Sequence, residues 1–197
     1  MKTIDDLFLD KQEREEVIVS LSNITELRAQ MFAEFSGAFM IPRALYAASG
    51  LYEYKKHAEQ CNPQMLTHFD WLYLKLKETL AEYYQKPVEF LDGYNYPGFH
   101  AFYGPINSIG YNSFHQDAFE SIDTEIHSWV CPIVLPEYPT GIVFRDNSRF
   151  DYSEGMLTWW KGNISHAIGD VVCKQGEARI TLQTHASITP DRVRLFW

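Results

Sequence analysis

His115-Gln116-Asp117 sets an imidazole and a carboxylate two positions apart. On an extended strand, residues i and i+2 project from one face. Tyr111, Ser113, His115 and Asp117 would then share one side of a single segment. A second imidazole from a neighbouring strand would complete two nitrogens and one oxygen on one side of a metal. The opposite side stays open, a ligand pattern suited to ferrous iron that must also take dioxygen. Further along the chain, His166 in Asn163-Ile164-Ser165-His166-Ala167 is the best second histidine.

The last long strand adds an anion-binding element. Across residues 178–186, Arg179, Thr181, Gln183 and His185 alternate with Ile180, Leu182 and Ala186, Thr184 being the one polar exception on the second face. One face packs and the other is able to line a wet pocket. A guanidinium grips a carboxylate through two parallel hydrogen bonds, and a hydroxyl two positions on adds a donor. Arg179 with Thr181 therefore reads as a carboxylate clamp.

In this order, His-x-Asp, a distal His and Arg-x-Thr on the final strand, the chain resembles the Fe(II)/2-oxoglutarate-dependent oxygenases over roughly residues 94–187. The resemblance implies an α+β, mainly β fold: a double-stranded β-helix, or jelly roll, with N-terminal helices packed on one face. It implies that His115, Asp117 and His166 hold Fe(II) and that Arg179 and Thr181 take the far carboxylate of 2-oxoglutarate. Tyr103 would donate its hydroxyl to the same co-substrate. With O2, the implied reaction is decarboxylation to succinate and CO2 coupled to hydroxylation of an unactivated C–H bond. Asp117 stands where related halogenases carry a small residue, so hydroxylation is the expectation. The gap from His166 to Arg179 is longer than the family's usual one, and the chain is short for the group.

Each residue also has a plainer reading. His115 and Asp117 can be a hydrogen-bonded pair on an exposed strand, and His166 a histidine beside the Lys161-Gly162-Asn163 turn. His127 and His185 compete as ligands, but His127 shares a strand face with Trp129 and Cys131 and reads as a core or pocket residue. The polar face of residues 178–186 can simply meet water. Tyr103 can be structural, and Trp129, Trp159 and Trp160 read as core or cavity wall. Gln183 and His185 have no assigned role, and the loop at residues 92–98 covers the pocket mouth or merely connects. Arg145 and Arg149 suit an anionic substrate or a solvated hairpin tip. Two rival classes follow. A cupin-like metalloprotein that does not use 2-oxoglutarate leaves Arg179 in solvent; a non-catalytic binding protein has structural histidines and no tight metal site.

The elements that must position these groups divide near residue 90. Before it the apolar spacing is helical, with Ile24, Leu27, Met31 and Phe35 in one stripe and a weaker helix over residues 44–60. A third helix has Asn62 as cap, Pro63 at its first position and a stripe of Met65, Phe69, Leu72, Leu76, Leu80 and Tyr83, ending before Pro87. After residue 90, Gly, Pro, Asn and Asp break the chain into short strand-like runs at 99–103, 111–117, 125–135, 141–144, 156–160, 169–173 and 178–187. We expect a single domain over 1–197, with a helical extension at 1–90 and a jelly-roll metal-binding core at 91–197.

Composition agrees with a packed enzyme. The 197 residues are 46% hydrophobic and 15% aromatic, too rich for a disordered chain. A formal charge of −9 opposes binding to nucleic acid or to an anionic membrane. The charged run at residues 10–16 leaves no signal-peptide core, and no stretch approaches the ~20 apolar residues of a spanning helix. Cys61, Cys131 and Cys173 are scattered and read as reduced thiols, which points to a cytoplasmic setting. The partner expected is a small-molecule substrate, such as an amino acid; oligomeric state is not set by the sequence.

Overall fold

The computed structural model describes residues 2–4, 6–31, 69–91, 98–108, 114–117 and 124–196, with backbone alone for 22–31 and for a few positions in 2–108. Within these residues the fold is mainly β, with two helices. Asp10 and Glu13 each accept a hydrogen bond from the other's backbone N–H at 2.9 Å. That reciprocal capping box satisfies donors at a helix start. Helix α1 (Lys11–Met31) accordingly begins well before the stripe that signals it in the sequence. The expected helix at 44–60, and Asn62, Pro63 and Met65 of the third, lie outside the described residues.

Helix α2 (Asp70–Tyr84) is the described part of that third helix. Leu72, Leu76 and Leu80 are all buried on one face, each worth about 1.5–3 kcal/mol relative to exposure. Tyr73, not Tyr83, completes the buried set: Tyr83 is 37% exposed. The helix stops before Pro87, as expected, because Gln85 turns left-handed at φ 52° and Lys86 N–H returns to the Ala81 carbonyl.

The strands form three sheets. The largest runs β1 (Lys2–Thr3), β8 (Thr158–Lys161), β5 (Glu125–Val134), β11 (Ala178–Ile188), β12 (Val193–Phe196) and β2 (Val88–Phe90), with β3 (Gly98–Tyr103) also on β11. Its pairings are antiparallel except β12 with β2. A second sheet orders β7 (Arg149–Asp151), β6 (Gly141–Phe144) and β9 (His166–Ile168), and a third pairs β10 (Val171–Cys173) with β4 (Ile106–Ser108). Only residues 114–117 of the expected strand at 111–117 are described, and they carry one bridge, at His115. The expected 169–173 strand is β10, beginning at Val171, and β9, which the sequence pattern did not mark, precedes it across Gly169-Asp170.

Alternation on β5 and β8 divides the core between the two faces of the large sheet. Trp129, Cys131, Ile133 and Trp159 pack under the helices with Phe8, Leu21, Leu72 and Leu76. Val130 and Trp160, from the opposite face, pack on Ile142 and Tyr152 beneath the second sheet. Phe102 joins Ile168, Val171 and Cys173 in a further cluster on that side. Gly141 is fixed by the tight β6–β7 pairing, where a Cβ would fall 1.9 Å from the Phe150 carbonyl oxygen. That hairpin brings Thr140 and Tyr152 together, Tyr152 N–H donating to Thr140 O at 3.0 Å.

Candidate metal centre

His115 and His166 face each other as an antiparallel bridge in which each backbone N–H donates to the other's carbonyl at 2.9 Å. Asp117 N–H donates to Gly162 O at 3.0 Å, and the Gln116 side-chain amide donates to Asn163 O. Three strand-like bonds thus hold residues 115–117 along residues 162–166. The turn at Lys161-Gly162-Asn163 precedes β9, and His166 is its first residue, not a loop residue.

The side chains converge as the backbone requires. His115 Nε2 lies 3.5 Å from Asp117 Oδ1, and His166 Nε2 lies 3.4 Å from Asp117 Oδ2. One ligand atom from each residue falls within 4.8 Å of the other two, an arrangement able to hold a metal ion. His166 is buried at 4% exposure and Asp117 nearly so, while His115 is 40% exposed, so the group opens on one side. The His115 and His166 rings are 4.5 Å apart, and Trp160 presents its ring to His166 at 4.9 Å.

Hydrogen bonding fixes the tautomer of His166. Its Nδ1 is 3.0 Å from the Ile164 carbonyl oxygen, which can only accept, so Nδ1 carries the proton. Burial pushes the His166 pKa down, only partly opposed by Asp117 and the Ile164 carbonyl, and His115 adds to the depression. Neutral His166 therefore turns the lone pair of Nε2 toward a carboxylate oxygen. Burial alone would raise the Asp117 pKa, but the His115 hydrogen bond, the charges that His185 and His166 carry once protonated in acid, and the Ser128 hydroxyl hold it well below the usual carboxylate range. Two acceptors face each other at 3.4 Å, and a cation between them resolves the conflict. The donor set fits a divalent transition metal with free coordination positions.

No protein-family model and no curated protein matches this chain.

The remaining expected residues divide. Arg179 is fully buried, as is Thr181. Arg179 Nε donates to Thr140 Oγ1 at 3.2 Å, and its guanidinium lies 5.5 Å from the Phe102 ring centre and 5.4 Å from that of Tyr152. The polar face of β11 thus turns inward here, not to water. Gln183 Nε2 donates to Thr181 Oγ1 at 3.3 Å, and His185 Nδ1 is 3.2 Å from Ser128 Oγ. Tyr103 pairs with Ala178 along the backbone, and its side chain lies outside the described part. Arg149 closes its own hairpin through Asp151 and the Pro139 carbonyl.

Sequence reasoning missed Tyr152, Thr140 and Ser128. Burial pushes the Tyr152 pKa up to about 12, with Arg179 opposing and Asp117 reinforcing, so its hydroxyl stays neutral beside the clamp. Nothing periodic marks Tyr152 or Thr140, which meet Arg179 only because β6 and β7 pair. Ser128 was readable, since it lies between His127 and Trp129 and must take the opposite face. His127 itself is on the helix side, stacked on Trp159 at 3.7 Å, and is no part of the metal group.

Proposed function

We propose that this protein is a non-heme Fe(II)/2-oxoglutarate-dependent dioxygenase that hydroxylates a C–H bond of a small molecule such as an amino acid. The observation that carries the reading is the His166 Nε2 lone pair set against Asp117 Oδ2 at 3.4 Å, beside His115. His115, Asp117 and His166 would hold the iron. When bound, iron with 2-oxoglutarate and O2 supplies oxidative decarboxylation and the power to functionalise an unactivated C–H bond. The chain's own share is to hold His166 in its ligating tautomer through Ile164, keep Asp117 ionised, and exclude water with Trp160, Val130 and Phe102. Arg179 would grip the far carboxylate of 2-oxoglutarate, with Thr181, Tyr103 and the Tyr152 hydroxyl as further donors.

Strand order supports a double-stranded β-helix. The sequence β3-β11-β5-β8 in the large sheet faces residues 114–117, β9, β6 and β7 in the other, and apart from the β6–β7 hairpin and the separate β4–β10 pair, successive segments from β3 to β11 alternate between the two. That is how a jelly roll winds. Burial of Arg179 favours this reading over a cupin-like metalloprotein without 2-oxoglutarate, which has no use for a guanidinium inside the barrel. The core that residues of α1 and α2 share with the large sheet supports a single domain.

The test is spectroscopic. Fe(II) and 2-oxoglutarate added without oxygen should give the visible charge-transfer band of the chelate, and admitting air should yield succinate. Iron binding without the band would support the cupin-like alternative, and no tight iron binding would support a non-catalytic protein.

A further inference from the structure

On the helix side of the large sheet, directly behind the metal group, lies a second ordered set of polar aromatic residues. Tyr84, the last residue of α2, has its hydroxyl 2.7 Å from His127 Nδ1 and accepts from Trp129 Nε1 at 3.0 Å. His127 Nε2 lies 3.0 Å from Glu125 Oε1, which also takes Lys161 Nζ at 2.6 Å. The Glu125 charge 3.0 Å away favours the proton on Nε2, which leaves Nδ1 to accept from the Tyr84 phenol. Burial drives the Tyr84 pKa far up, outweighing the Trp129 hydrogen bond, so the phenol does not simply ionise.

Rings connect this end to the metal group. Trp160 is at 4.9 Å from His166, and its chain neighbour Trp159 points to the other face. Trp159 is stacked on His127 and lies 5.9 Å from Trp129, which is 6.0 Å from Tyr84. A branch leads outward, Trp159 Nε1 donating at 2.8 Å to the hydroxyl of half-exposed Tyr83. Ordinary packing accounts for the buried rings. It does not require a phenol poised to give its proton to an imidazole backed by a carboxylate.

We infer that Tyr84, His127 and Glu125 form a redox-active tyrosine site that drains oxidising equivalents from the metal group through Trp160, Trp159 and Trp129. One electron leaves the Tyr84 phenol for a one-electron oxidant generated from dioxygen at the metal group. The phenolic proton moves to His127 Nδ1. The products are a neutral phenoxyl radical, still accepting from Trp129 Nε1, and an imidazolium paired with Glu125. No charge is left without a partner, which is what a buried oxidation needs. Such an outlet protects His115 and His166 when dioxygen reacts without substrate.

The relay rests on the oxygenase reading only for its source of oxidant, so two arms separate the two ideas. In metal-free protein, pulse radiolysis with azide radicals oxidises indole first. Indole radical should then convert to phenoxyl radical at Tyr84, a phase that Tyr84→Phe removes and His127→Phe slows about tenfold, the worth of one good hydrogen bond in a barrier. Tyr83→Phe and Trp160→Phe should leave that rate within about twofold. In the second arm, protein loaded with Fe(II) and 2-oxoglutarate meets air without substrate, and rapid-freeze electron paramagnetic resonance should show a phenoxyl radical that Tyr84→Phe and Trp160→Phe both remove. Unchanged kinetics in Tyr84→Phe, or succinate formation with no radical, overturns the relay. No succinate while the metal-free transfer persists overturns the oxygenase reading and the iron-linked role, leaving the tyrosine site itself.

Discussion

Among the described residues a buried histidine lies on each side of the large sheet, His127 on β5 under the helices and His166 on β9 of the second sheet, and the two are finished differently. His127, under the helices, has the Tyr84 hydroxyl hydrogen-bonded at Nδ1 and the Glu125 carboxylate 3.0 Å from Nε2. His166, on the other face, spends Nδ1 on Ile164 O and turns a lone pair on Asp117. Equal burial thus separates a histidine completed by the fold from one that the fold completes only with a cation. The ligand is recognised by the acceptor left facing an acceptor, not by depth.

Replacing each histidine tests that contrast most sharply. Bound metal gains ~10–16 kcal/mol from about four ligands, so His166→Ala should cost ~3–4 kcal/mol of iron affinity, a loss of several hundredfold by Fe(II) titration. His127→Ala should leave iron affinity within about twofold and lower stability by ~1–3 kcal/mol, because Tyr84 and Glu125 lose a buried partner. A comparable iron loss in both would erase the distinction between the faces.

The aliphatic core on the helix side should act on stability and not on iron. Leu76, buried among the helices and β5, should cost ~2–5 kcal/mol on truncation to Ala, read as a lower urea midpoint with iron affinity unchanged in the folded fraction. On the other face Arg179→Met keeps most of the buried volume and removes the fork. Apparent affinity for 2-oxoglutarate should fall about 30- to 100-fold, since a charge-assisted pair contributes ~2–3 kcal/mol, while Fe(II) binding holds. Should 2-oxoglutarate bind Arg179→Met as it binds the parent chain, the clamp is elsewhere.

Acid gives the smallest effect. Asp117 is held low despite burial by His115, His185, His166 and Ser128, and His166 is held low by burial, so both bind fewer protons folded than unfolded. Stability of the metal-free chain therefore rises with pH. The Asp117 share is present above its unfolded pKa and lost as pH falls through its depressed folded value. The His166 share fades as pH falls below its unfolded value of about 6.5. Melting at about pH 5 should be lower than at about pH 7 by the equivalent of ~1 kcal/mol, and His166→Phe should flatten that slope. A melting temperature that climbs on acidification would contradict the neutral, lone-pair state of His166.

Local pattern made much of this legible. The period-2 alternation of residues 178–186 marked a strand with two unlike faces, and β11 spans Ala178–Ile188. The stripe of Leu72, Leu76 and Leu80 marked the buried face of α2. His115, Asp117 and His166 were singled out by type and spacing, and the fold brings them within 4.8 Å. What stayed hidden depends on pairing between distant segments. Tyr152 and Thr140 reach Arg179 only through the β6–β7 hairpin, and short edge strands such as β1 and β4 carry too few residues to show a period. The start of α1 was hidden for another reason: its capping pair sits in a charged run that has little apolar periodicity.

The backbone rungs between His115 and His166, with Asp117 tied to Gly162, set the spacing of the three ligands through the main chain. Two imidazoles and one carboxylate are donors that many divalent cations accept, and affinities for such a set climb from manganese through iron to copper by the metals' own chemistry. Iron ranks low in that order. Occupancy in the cell would be governed by which cation is supplied, and protein purified over nickel resin or in zinc-bearing buffer would emerge mismetallated.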